Sequence, residues 1–102
     1  MKIEHDGNNL RVSDIAELNA LNATTFRDEV RAALPLEPGT IEIDLSQTQF
    51  VDSSGLGALF SLYRAAHGGH NGVTMRLLNP KPPIQQLFEL TQLHQLFEIC
   101  CR

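Results

Sequence analysis

The run Phe50-Val51-Asp52-Ser53-Ser54-Gly55-Leu56-Gly57-Ala58-Leu59 constrains this chain more than any other stretch. An apolar strand passes through a short acidic, hydroxyl and glycine turn straight into a helix. The first amides of a helix have no partner inside it. A serine hydroxyl set there can cap the helix, attack a substrate or accept a phosphate. The junction demands a fold in which strands feed helices, and it raises the question of what the hydroxyl does.

The flanking sequence supplies the other elements. Met1 to Ile3 and then Leu10 with Val12 read as two short strands around Asp6-Gly7-Asn8-Asn9, a tetrad rich in residues that tolerate positive φ. Asn22 to Leu34 reads as a helix capped by Asn22, with Phe26, Val30, Ala33 and Leu34 in one apolar stripe. Pro35 and Pro38-Gly39 end it. Thr40 to Ser46 is the clearest strand, because Ile41, Ile43 and Leu45 alternate with Glu42 and Asp44. Phe50 and Val51 are expected to return to the core.

A second helix is predicted from Ser54 to His67, with Leu56, Leu59, Phe60 and Tyr63 on its apolar face, Leu62 and Ala66 widening it, and Gly68-Gly69 stopping it. Val73 to Leu78 reads as a third core strand. Pro80-Lys81-Pro82-Pro83 opens a third helix, striped by Ile84, Leu87, Phe88 and Thr91. Leu96 to Ile99 closes the chain as a short strand or a last helical turn. The order β-β-α-β-α-β-α-β implies an α/β fold whose later strands run parallel through right-handed crossovers. One domain over residues 1–102 is expected, with a mixed sheet of four to five strands packed with three to four α-helices.

Charge and composition narrow the partners. A net charge of −4 disfavours nucleic acid and anionic membrane, both of which select basic surfaces. No apolar stretch approaches the roughly 20 residues of a membrane span, and the polar start lacks a signal-peptide apolar region, so a cytoplasmic protein is expected. Cys100 and Cys101 are adjacent, a poor geometry for a disulfide, and read as reduced thiols near a strand end. His67-Gly68-Gly69-His70 offers too few ligands for a structural metal and reads as a loop. No metal or cofactor is implied. Glu42 and Asp44 read as a solvated strand face, and Tyr63 as core.

Enzymatic readings of the turn fail on named residues. A nucleophile elbow needs glycine two positions before the serine, where Val51 and Asp52 stand. A phosphate-binding loop needs a lysine followed by Ser or Thr, and none follows Gly57. A dinucleotide fingerprint needs a third glycine where Phe60 stands. No catalytic residue is assigned. A capped helix start remains, and so does a phosphate acceptor: helix-end amides tolerate a phosphate at Ser54, which adds about −1.5 to −2 charges beside Asp52. Gly55 would leave backbone uncovered for a partner to approach.

Ile41-Glu42-Ile43-Asp44-Leu45-Ser46 followed by Phe50-Val51-Asp52-Ser53-Ser54-Gly55-Leu56-Gly57 resembles the core signature of STAS domains, the anti-sigma factor antagonists and related domains of sulfate transporters. Ala16-Glu17-Leu18-Asn19-Ala20 resembles that family's Gly-Glu-Leu-Asp segment, and Pro83 to Ile99 its closing helix and strand. The resemblance implies a STAS-like fold in which Ser54 is the phosphorylated residue, supported by Asp52, Ser53, Gly55, Leu56 and Asn19. It implies a protein that binds an anti-sigma factor that is also a serine kinase, is released on phosphorylation, and is reset by a serine phosphatase. The alternative within the family is a constitutive subunit of a lipid ABC transporter or of a signalling scaffold, with the serine as a cap. Asn19 stands where the family has an acid, keeping the shape without the charge. Gln92 stands where a glycine is common.

Overall fold

The computed structural model describes residues 1–67 and 73–101. Its main sheet has five strands, in the order β1 (Lys2–Asp6), β2 (Asn9–Ser13), β4 (Thr40–Asp44), β6 (Thr74–Leu78) and β7 (Glu98–Cys100). β1 and β2 form an antiparallel hairpin turning at Gly7, whose φ of +62° suits a residue without a Cβ. The other pairings are parallel. The short strands β3 (Glu17–Leu18) and β5 (Phe50–Val51) form a separate parallel pair. The mixed sheet is the expected one; the small second sheet is not written in the periodicity, since two residues carry no period.

Alternation in β4 makes one face of the sheet apolar. The register sets Ile41 beside Leu10 and Met75, and Ile43 beside Val12 and Leu77, all buried. Against that face pack α1 (Ala23–Ala33) through Phe26 and Val30, α2 (Ser53–His67) through Leu59 and Leu62, and α3 (Pro82–Leu90) through Ile84 and Phe88. Each aliphatic side chain so buried contributes about 1.5–3 kcal/mol. The opposite face carries Arg11, Glu42, Asp44 and Arg76. Glu42 and Asp44 are only half-buried and are bridged by Arg11, so this face is an ion-paired surface and not simply a solvated one.

Several expectations are corrected. Phe50 is 52% exposed, because in a two-residue strand Val51 turns inward and Phe50 must turn out. The buried face of α2 is Gly55, Ala58, Leu59, Leu62 and Ala66; Leu56 and Tyr63 are half-buried, and Phe60 is exposed. Close packing at Gly55 fixes this rotation. Tyr63 stacks on His67 with ring centroids 4.2 Å apart and meets Phe97 edge-on. Thr91 is exposed and donates its hydroxyl proton to the Leu87 carbonyl. Leu93–Gln95 forms a 3-10 turn before β7. His67 sets its two ring nitrogens near the carbonyls of Tyr63 and Val73, which leaves neither free for a metal. The predicted stop at Gly68-Gly69, and His70 with it, lie outside the described residues. Cys100 and Cys101 are free thiols.

Candidate functional site

The site is assembled where β5 hands over to α2. Pairing with β3 fixes β5 in place: Gln49 N–H donates to Ala16 O and Asp52 N–H to Leu18 O, at 2.9 and 3.0 Å. Asp52 leaves the strand half-buried, with one backbone hydrogen bond on each carboxylate oxygen. Oδ1 accepts from Gly55 N–H at 3.0 Å, Oδ2 accepts from Ala20 N–H at 3.2 Å, and the Asp52 carbonyl accepts from Leu56 N–H. Asp52 is therefore the N-cap, and Ser53, Ser54 and Gly55 are the first three helical residues. The acid does what the sequence alone left open to a serine.

Both serines are exposed. Among the described residues, neither hydroxyl forms a side-chain hydrogen bond within the chain. Ser54 opens onto a groove between α1 and α2, facing Ala20, Thr24 and Arg27 across it and Gly57 and Ser61 along it.

Gly55 is buried, and a Cβ there would lie 2.6 Å from Leu18 O and 2.7 Å from Leu18 Cβ. Its missing side chain admits β3, so the expectation that it leaves room for a partner is corrected. Gly57, two residues further along α2, has nothing within 4 Å of where a Cβ would stand. Leu56 is half-buried against the core.

Asn19 lies in the turn that leads into α1. Its Oδ1 accepts from Leu21 N–H at 2.9 Å, and its carbonyl accepts from Asn22 and Ala23 N–H. Asn22 does not cap forward; its Oδ1 accepts from Asn19 N–H and its Nδ2 donates to Glu17 O. Asn19 thus shapes the loop that Asp52 holds through Ala20. Sequence reasoning missed Leu21, which is 94% exposed on this loop. Its signal is a leucine isolated among Asn19, Ala20 and Asn22.

The STAS domain family model matches residues 1–101. The chain belongs to the STAS family. Solved STAS-like structures share its fold. A candidate anti-sigma factor antagonist from Thermotoga maritima superposes with a TM-score of 0.85 at 20% identity, covering 97% of this chain and 84% of that one. The anti-sigma factor antagonist SpoIIAA in its unphosphorylated form gives 0.63 at 22% identity, covering 87% and 81%. The Bacillus cell fate determinant SpoIIAA in its phosphorylated form gives 0.63 at 20% identity, covering 96% and 88%. No curated protein sequence matches the chain. The single small α/β domain with its five-stranded mixed sheet is a STAS fold. No helix among the described residues is long and apolar enough to cross a membrane.

Proposed function

We propose that this STAS domain is a cytoplasmic anti-sigma factor antagonist. Unphosphorylated, it binds a cognate anti-sigma factor that is also a serine kinase and so frees a sigma factor for transcription; phosphorylation of Ser54 ends the association, and a serine phosphatase resets it. The observation that carries the reading is the division of labour at the turn. Asp52 caps α2, so Ser54 stands exposed at the second helical position with no structural duty. The alternative, a constitutive subunit of a transporter or scaffold with the serine as its cap, has less support because Asp52 accepts the capping hydrogen bond.

The physics of a switch follows. A phosphate on Ser54 would sit at the positive end of the helix dipole, so the fold tolerates it. It would add about −1.5 to −2 charges to a surface that already holds Asp52. The core behind Gly55 would be undisturbed, and the change would fall on the docking face. The protein is the substrate in this scheme and supplies no catalytic group.

The test is incubation with the cognate kinase and ATP, followed by mass spectrometry. One phosphate on Ser54 is expected, with none on Ser54→Ala. Ser54→Asp should weaken kinase binding while Ser54→Ala should not. Label on Ser53, label surviving in Ser54→Ala, or equal affinities for the two variants would each overturn the reading.

A further inference from the structure

Charge is distributed unevenly over this fold. On the open face of the sheet the register aligns Glu4, Arg11, Glu42, Arg76 and Glu98 in one row across five strands. Signs alternate along it. Arg11 lies 3.6 Å from Glu42 and 3.3 Å from Asp44, and Arg76 lies 3.9 Å from Glu42 and 3.4 Å from Glu98. Both arginines are thereby neutralised.

The helical layer is different. The groove that begins at Ser54 and Arg27 continues past Ser61, which also lines a second depression with Arg31, Arg64 and Ala65. Three of the eight lysines and arginines thus follow one track in a chain of net charge −4. Arg27 is paired at 3.0 Å with Asp28, its exposed neighbour on α1, a contact of small strength that is easily exchanged. Among the described residues, Arg31 and Arg64 have no carboxylate within 4.0 Å. The Arg64 guanidinium lies instead 6.0 Å from the ring centre of exposed Phe60. Between the arginines the floor is made of small residues such as Gly57 and Ala58, so another backbone can approach closely.

We propose that the α1–α2 groove docks an acidic segment of a protein partner, with Arg31 and Arg64 as anchors and Ser54 at one end. Charge complementarity selects the occupant, because this track offers unneutralised positive charge on an otherwise acidic molecule. The inference rests on the proposed function in one respect: a phosphate on Ser54 enters the same track beside Arg27 and competes with the acidic segment for it.

The probe is a short synthetic peptide of glutamate and leucine, titrated into the isotope-labelled full chain and followed by amide NMR. Shifts are expected at Arg31, Ser61, Arg64 and Ala65, and none with the peptide in which glutamine replaces glutamate. The double variant Arg31→Glu/Arg64→Glu should bind about tenfold more weakly or worse. The charge-matched double variant Lys2→Glu/Lys81→Glu should bind nearly as wild type. Scattered shifts, equal weakening in both double variants, or a single-stranded oligodeoxynucleotide that shifts the same amides as strongly would overturn the proposal. Phosphoserine built in at position 54 should weaken the peptide severalfold, and an unchanged affinity overturns the competition. A groove that ignores the peptide leaves kinase labelling of Ser54 untouched, whereas a Ser54 that the kinase never labels leaves the titration untouched, so the two failures are distinguishable.

Discussion

Replacing Gly55 with alanine tests how the site is built. The substitution keeps the N–H that donates to Asp52 Oδ1, so the cap survives and the added methyl group is the perturbation. That methyl would lie 2.6 Å from Leu18 O, 2.7 Å from Leu18 Cβ and 3.0 Å from Val51 Cγ1. Two of these contacts are to β3, whose backbone is held by pairing with β5 and cannot retreat cheaply. Overpacking of a tight site typically costs about 1–3 kcal/mol, and contact with fixed backbone argues for the upper end. Against this, alanine gains about 1 kcal/mol over glycine inside a helix. The net expectation is a loss of about 2 kcal/mol, or a fall in Tm of roughly 8 °C for a domain of this size. Gly57→Ala is the control, two residues further along the same helix with nothing within 4 Å of the new Cβ. It should gain up to about 1 kcal/mol. Urea unfolding followed by circular dichroism reads both as midpoint shifts at constant slope. If Gly55→Ala matches or exceeds wild type, or if both variants move the same way, the close approach of α2 to β3 is not what selects glycine at position 55.

Other changes probe the same junction and the far end of the chain. Asp52→Ala removes the acceptor for both Gly55 N–H and Ala20 N–H and should cost about 1–2 kcal/mol in urea unfolding, with faster hydrogen exchange at those two amides. Asp52→Asn, which keeps an acceptor oxygen, should lose less. Gln92 holds a left-handed backbone with φ of 61° and ψ of 18°, so Gln92→Gly should raise stability by about 0.5–1 kcal/mol in the same assay.

The sequence displayed the large elements because their periods are long enough to count. Ile41 and Ile43 announced β4, and Phe26 with Val30 announced the buried side of α1. What it hid follows from contacts between segments distant in the chain. The rotation of α2 depends on Gly55 meeting Leu18, a contact absent from any local period, so Phe60 looked like core and proved exposed. The cap was hidden by its neighbours: Asp52, Ser53 and Ser54 are all good N-cap residues, and only the start of the helix at Ser53 selects Asp52. Gln92 was visible through the family pattern, which favours glycine at the position where the backbone turns left-handed.

The role of Asp52 bears on the proposed switch, which needs a surface that can change charge without changing shape. One carboxylate accepts from Gly55 on α2 and from Ala20 on the loop before α1, so it joins the two elements that border the groove. Removing charge from such a group would loosen both at once. Adding charge at Ser54, two residues along and outside this network, breaks no hydrogen bond of the fold. The fixed carboxylate and the exposed hydroxyl therefore divide the work: the acid holds the geometry, and the serine is left free to be altered. A reversal of that assignment, with a serine as the cap, would make every modification of the hydroxyl also a loss of helix stability.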